Sequence, residues 1–264
     1  MKLLRKSIPI VLTFMVASAF AGTEVSSKET PPLEPTGCVA PPDTEFRFGL
    51  PGWISGLSGE FGVRGIVTEQ DLKFADILKD LDMIAAGSLY ARYHRWEIFA
   101  DGQYIKISDT ASLRGILFQE ANVGLKSAFA EAFLGFRVIN CQAGVLSLFA
   151  GARYNYMSAD VHLRGARLQS IRASGEIDWV DPVIGASGKV RVYKPISFYA
   201  KGDIGGFGAN SDFTWQVQGG FEVQLTRSMY TDIGWRYLKN DYTSGGFVNK
   251  TELNGPFLET GINF

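Results

Sequence analysis

The sequence predicts an all-β protein, an antiparallel transmembrane β-barrel of ten strands with eight as the alternative, and three observations carry that prediction. Residues 213 to 225 alternate: Phe213, Trp215, Val217, Phe221, Val223 and Leu225 are apolar, while Thr214, Gln216, Gln218, Glu222 and Gln224 are polar. Successive strand side chains point to opposite faces, so this segment is two-faced, and it exceeds the roughly 9 to 11 residues that cross a bilayer at a tilt. Next, Lys2, Arg5 and Lys6 precede an apolar run from Ile8 to Phe20 and the small-residue motif Ala19-Phe20-Ala21. That is the pattern of a signal peptide over residues 1–21, cleaved before Gly22. Finally, no other stretch approaches the roughly 18 apolar residues of a membrane helix, so a membrane-integral chain must use a closed sheet.

Residues 22–56 hold Pro31, Pro32, Pro35, Pro41 and Pro42 among Ser, Thr and Glu. Lacking alternation, they predict an extended periplasmic linker. Residues 57–264 then suit one barrel domain and leave no room for a second. Removing the leader leaves 23 basic residues against 27 acidic ones, a weak acidic balance that excludes nucleic acid as an expected partner.

Ten strands are predicted near 57–67, 83–93, 96–107, 122–138, 145–157, 178–193, 196–207, 213–225, 229–241 and 255–264. The breaks alternate in length. His94-Arg95, Asn140 to Gly144, Lys194-Pro195 and Thr226 to Ser228 are short, while 68–82, 108–121, 158–177 and 242–254 are long; 208–212 is the short exception. Outer-membrane barrels have short periplasmic turns and longer outside loops, so both termini are expected in the periplasm. In the first long loop Phe74, Ile77, Leu78 and Leu81 fall at helical spacing, with Thr68 before Asp71 as a cap. This predicts a short amphipathic helix, acting as a lid at the outer mouth or packed on the rim.

Alternation places Phe61, Val63, Trp96, Ile98, Leu134, Phe136, Leu146, Leu148, Ile184, Val190, Phe198, Ile204, Ile233, Trp235, Leu258 and Ile262 against lipid. The opposite face carries Glu60, Arg64, Arg92, Glu97, Asp101, Glu131, Arg137, Arg153, Asp181, Lys189, Arg191, Lys201, Asp203, Glu222, Asp232, Arg236 and Glu259, nine acids against eight bases. Near-equal charges in a narrow lumen can pair, which avoids the cost of isolated buried ions. A plugged interior is therefore expected in preference to an open channel, with Glu60, Asp101, Asp203, Glu222 and Asp232 pairing with Arg64, Arg153, Lys201 and Arg236.

Several segments resemble a widespread, functionally uncharacterised family of bacterial outer-membrane β-barrel proteins. They are Trp179-Val180-Asp181-Pro182, Gly202-Asp203-Ile204-Gly205-Gly206-Phe207-Gly208, Trp215-Gln216, Gly234-Trp235-Arg236-Tyr237-Leu238, Asp241-Tyr242 and Gly255-Pro256. The resemblance covers about residues 57 to 264, implies the same fold and location, and brings no substrate. The last strand resembles the assembly signal of outer-membrane proteins through Leu258, Thr260, Ile262 and Phe264. The glycine usual earlier in that signal is Glu259 here.

Chemistry has little to stand on. Outer-membrane enzymes resemble small barrels with His beside Asp, Ser or Glu at the outer rim, and this chain has only His94 and His162. His94 falls in a predicted periplasmic turn; His162 lies near Asp160 in an outside loop, without a Gly-x-Ser-x-Gly elbow. Gly185-Ala186-Ser187-Gly188-Lys189 lacks the spacing and the Ser or Thr of a phosphate loop. The glycines of 202–208 have no helix after them and are expected to relieve crowding where Lys201 and Asp203 enter the lumen. No metal or cofactor is expected. Cys38 and Cys141 fall on the same oxidising side and are candidates for a disulfide, with two free thiols as the alternative. The expectation is a monomeric, non-enzymatic barrel with a structural, adhesive or ligand-contacting role, its partners being outer-membrane lipids and, during insertion, the barrel assembly machinery. A narrow porin for small polar solutes is the first alternative, and a surface hydrolase using His162 the second.

Overall fold

The computed structural model describes residues 41–63, 66–112, 118–165 and 171–264. The predicted signal peptide, Cys38 and Arg64 lie outside them. In chain order the elements are β1 (Thr44–Trp53), β2 (Gly56–Val63), β3 (Ile66–Leu72), α1 (Phe74–Lys79), β4 (Leu81–Tyr93), β5 (Trp96–Ser112), β6 (Phe118–Asn140), β7 (Gly144–Gly165), β8 (Ile171–Tyr193), β9 (Ile196–Gly205), β10 (Phe213–Gln224), β11 (Met229–Ser244) and β12 (Phe247–Asn263). Every pairing is antiparallel and joins chain neighbours, except that β1 pairs both β4 and β12 and that β2 also pairs β12. That junction closes the sheet into the expected ten-stranded barrel, β1 with β4 to β12.

The first strand of the ring is not the one predicted. Residues 44–53, assigned above to the linker, form β1, with Phe46, Phe48 and Leu50 turned outward and Arg47, Gly49 and Trp53 inward. The alternation is short and carries Pro51, which hid it. That proline lies above Gly49↔Ser88, the last β1–β4 pair, so its missing N–H interrupts no ladder to β4. After a break at Ile54 and Ser55, the chain resumes as β2 along the other half of β12, so β12 is shared lengthwise: Trp53↔Phe257 ends one partner and Leu57↔Leu253 belongs to the next. The β2–β3 hairpin thus stands outside the ring.

Three predicted long loops are largely strand. β5 and β6 stay paired to Ser112↔Glu120, β7 and β8 to Leu163↔Ile171, and β11 and β12 to Ser244↔Phe247. The β11–β12 pair closes in the two-residue turn Gly245-Gly246, both with positive φ, which only such small residues adopt cheaply. The short helix is present as α1, but its N-cap is Lys73 without a side-chain cap, and Thr68 and Asp71 belong to β3. Leu81 opens β4 instead of closing the helix.

Outside, the predicted face holds. Trp96, Ile98, Leu134, Leu148, Ile184, Ile233, Trp235 and Leu258 are exposed, as are Val217 and Phe221 in β10, whereas Thr214 and Gln216 are fully buried. Phe61 and Val63 lie in β2, and their side chains are outside the described residues. An apolar exterior over a polar interior, with every strand of the ring paired on both sides along part of its length, is the arrangement a bilayer demands.

Candidate functional site: the lumen

Three ionic groups fill the lumen, and register explains how they assemble. Asp101 on β5, Glu131 on β6 and Arg153 on β7 are direct cross-strand neighbours, as are Asp203 on β9 and Gln216 on β10. Two acids side by side repel. Arg236 of β11 relieves this by reaching across to both, with Nη1 2.9 Å from Asp101 and Nη2 3.3 Å from Glu131, while its Nε donates to Gln216 at 3.0 Å. Arg153 donates to Glu131 at 3.1 Å and to Asp203 at 2.7 Å, and Lys201 donates to the other Glu131 oxygen. Three acids (Asp101, Glu131, Asp203) therefore face three bases (Arg153, Lys201, Arg236), all close to fully buried except the Lys201 tip. Aromatic rings finish the packing: Arg236 lies 4.8 Å from Trp53 and Phe129, and Lys201 lies 4.5 Å from Phe99 and Phe133. Balanced and hydrogen-bonded, this cluster avoids the desolvation penalty an unpaired buried ion would carry.

A second group sits by the end that carries the short turns. Arg137 Nε lies 3.0 Å from Glu97, and Arg92 Nη2 lies 3.3 Å from Glu45, with the Tyr90 hydroxyl between Glu97 and Arg137. The third joins β1 to the opposite wall: Arg47 Nη2 donates to Glu222 at 2.7 Å, Lys189 Nζ donates to the same carboxylate at 2.6 Å, and the Arg47 guanidinium stands 3.7 Å over the Tyr230 ring. Between the second and third groups, below the first, a cavity of about 640 Å³ opens toward that end.

Of the predicted lumen residues, Arg92, Glu97, Asp101, Glu131, Arg137, Arg153, Lys189, Lys201, Asp203, Glu222 and Arg236 are brought into these networks. Others are not. Glu60 is exposed on β2, because that strand left the ring. Arg191 is exposed near the cavity mouth, in line with the β8–β9 turn. Asp181 is fully buried but accepts from Trp179 Nε1 at 3.0 Å and from the Ser211 amide and hydroxyl, not from an arginine. Among the described residues Asp232 makes none of the ion pairs expected of it. Sequence reasoning missed Glu45 and Arg47, which lay in the supposed linker, and Gln216, whose place on the polar face of the clearest strand was the available signal.

Leu258 and Ile262 lie exposed along the outer side of β12, the face their alternation demanded, and Phe264 is exposed just past its end. Gly206 and Gly208 take positive φ in the turn after β9, and a Cβ on Gly205 would fall 2.5 Å from the Pro182 carbonyl, so crowding there is real but centres on the turn. Cys141 is disulfide-bonded, and Cys38, the other cysteine of the chain, lies outside the described residues. His94 Nδ1 faces Asp43 at 3.0 Å in an exposed turn. His162 lies within β7, not in a loop, and its side chain is outside the described residues. Among the described residues no group of three His, Cys, Asp or Glu could hold a metal ion.

A closed ring with an apolar exterior and an ion-filled waist defines the class: a transmembrane β-barrel of the outer-membrane type. Within it, the chain is similar in fold to the outer membrane protease OmpT from Escherichia coli, at 14% identity over 87% of this chain and 99% of that one, with a TM-score of 0.52. The translocator domain of the autotransporter NalP from Neisseria meningitidis gives 10% identity, 88% and 91% coverage and a TM-score of 0.42. For the attachment invasion locus protein Ail of Yersinia pestis the values are 11%, 84%, 99% and 0.34. Neither a protein-family model nor a curated protein sequence matches the chain. The OmpT likeness establishes the fold and assigns no chemistry.

Proposed function

We propose that this chain is a non-enzymatic outer-membrane barrel sealed against ion flow at its waist, whose lumen contacts a ligand from one side only. The observation that carries the reading is the buried cluster of Glu131, Arg153, Asp203, Arg236, Asp101 and Lys201, which spans the lumen from β5 and β6 to β9 and β11. Removing water from a narrow barrel requires its inward side chains to fill it, and six mutually neutralising ions do so without leaving a hydrated path. The cavity lies wholly on one side of that cluster, at the end carrying the short turns and Thr44 and Asn263. Short turns are periplasmic in barrels of this class, so the chamber opens to the periplasm in this reading, with Pro41 at its mouth and Asn263 at the same end. A chamber with one entrance and a blocked floor suits capture better than passage. Planar-bilayer recording of the folded protein tests it: conductance of at most tens of picosiemens, an order of magnitude taken from the small lumen, is expected. Stable nanosiemens steps would overturn the sealed reading and restore the narrow porin.

A further inference from the structure

Six acids and six bases line the chamber, so its wall is balanced in sum, but the charges are unevenly placed along it. Glu222, Asp232 and Glu259 stand directly opposite one another on β10, β11 and β12, in the pairs Glu222↔Asp232 and Asp232↔Glu259. Three adjacent carboxylates are an unfavourable row unless cations reach each of them. Both nearby cations are spent on one: Arg47 and Lys189 converge on Glu222. Among the described residues Glu259 receives only the Tyr230 hydroxyl, at 2.6 Å. Among the described residues Asp232 receives no ion pair, and its Oδ1 is buried without a hydrogen-bond partner. A second orphan sits at the chamber's closed end, where Asp101, only 8% exposed, gives Oδ2 to Arg236 and leaves Oδ1 unpartnered. Buried carboxylate oxygens without donors are costly and call for an explanation. All four acids line the same 640 Å³ cavity, together with the aromatic rings of Phe99, Phe133 and Phe257.

We propose that this chamber binds a small organic cation, an ammonium group on an apolar body, with the ammonium at Asp232 and Glu259 and the body against the phenylalanine rings. An ammonium supplies the donors and the positive charge that the Asp232 and Glu259 stretch lacks, in a cavity large enough to take the rest of such a molecule. A bare metal ion fits less well, because no three acids converge closely enough to ligate one among the described residues. This inference rests on the sealed, one-entrance reading of the barrel.

The test uses one molecular shape in three charge states. Benzylammonium, benzyl alcohol and benzoate are titrated calorimetrically into the folded full-length protein in detergent micelles, with protein-free micelles as the reference. Benzylammonium is expected to bind, benzyl alcohol about tenfold more weakly, and benzoate not at all, the step being that of one charge-assisted hydrogen bond. Asp232→Asn should weaken benzylammonium about tenfold while the barrel keeps its heat-modifiable gel shift, since the change removes a charge that no partner balances. Ser187→Phe, which places a ring inside the cavity, should abolish binding by filling the space. Benzoate binding as tightly as benzylammonium, no binding by any of the three, or an unchanged affinity in folded Asp232→Asn would overturn the proposal. Such a failure in a barrel that stays electrically silent leaves the sealed reading standing, whereas nanosiemens conductance sinks that reading itself.

Discussion

Glu131→Gln is the sharpest single perturbation of this molecule, because one carboxylate serves every base of the waist. Its two oxygens accept from Arg153 through Nε at 3.2 Å and Nη2 at 3.1 Å, from Arg236 at 3.3 Å, from Gln216 at 3.3 Å, and from Lys201. The amide removes one negative charge, leaving three bases against two acids, and one of its two polar atoms becomes a donor pointed at donors. Removing one partner of a buried ion pair costs about 3 to 5 kcal/mol, since the other charge stays buried and uncompensated. Several bases lose together here, so the upper half of that range is expected. Restoring the balance with Lys201→Met in the same chain should recover about 1 to 3 kcal/mol, the coupling typical of residues in one network. Urea unfolding of the barrel in detergent, followed by the gel shift between folded and unfolded forms, measures both. A single-variant cost below about 1 kcal/mol, or simple additivity of the two changes, would mean the cluster does not hold the waist as a unit.

Val217→Arg puts a charge on the outer face of β10, where Val217 is half exposed, and should cost about 2 to 4 kcal/mol near the bilayer midplane; Gln218→Arg, facing the chamber, should be milder, and the reverse order in the same assay would refute the register. Gly220→Ala would set a methyl 2.2 Å from the Ile233 carbonyl and 2.5 Å from the Gly234 Cα, so that strand pair must part; a melting temperature within a degree of wild type would show the backbone there has room. A bridge between Cys38 and Cys141 is predicted for protein exported to an oxidising compartment. Peptide mass spectrometry without reduction checks it, and alkylation of both thiols would disprove it.

The sequence revealed most where water or lipid judges every second residue. In β10 the apolar set from Phe213 to Leu225 fixes the outer face, and the buried Thr214 and Gln216 confirm it. Beyond the lipid the criterion lapses, because polar side chains are acceptable on both faces, and so residues such as Asp109 and Asp160 read as loop although they sit in ladders. β1 was masked by proline-rich neighbours. Inward parity identified most of the ions but not their partners: Arg153 lies beside Asp181 in register yet turns to Glu131 and Asp203, since Asp181 is already satisfied by Trp179 and Ser211. Such choices are made across the lumen, between strands far apart in the chain, and local pattern carries no trace of them.

The junction of β1 with β12 also dictates how this molecule must be made. Arg47 meets Asn263 across 216 positions of chain, and the remaining ring contacts join successive strands. Until that meeting occurs, the sheet is a curled ribbon with two bare margins, each able to pair with a stranger. The cost of bringing such distant segments together is met late, after the hairpins between them have drawn the margins near. One of those margins, β12, then receives two different partners along its length, so the last step is a zipper with a change of teeth at Ile54.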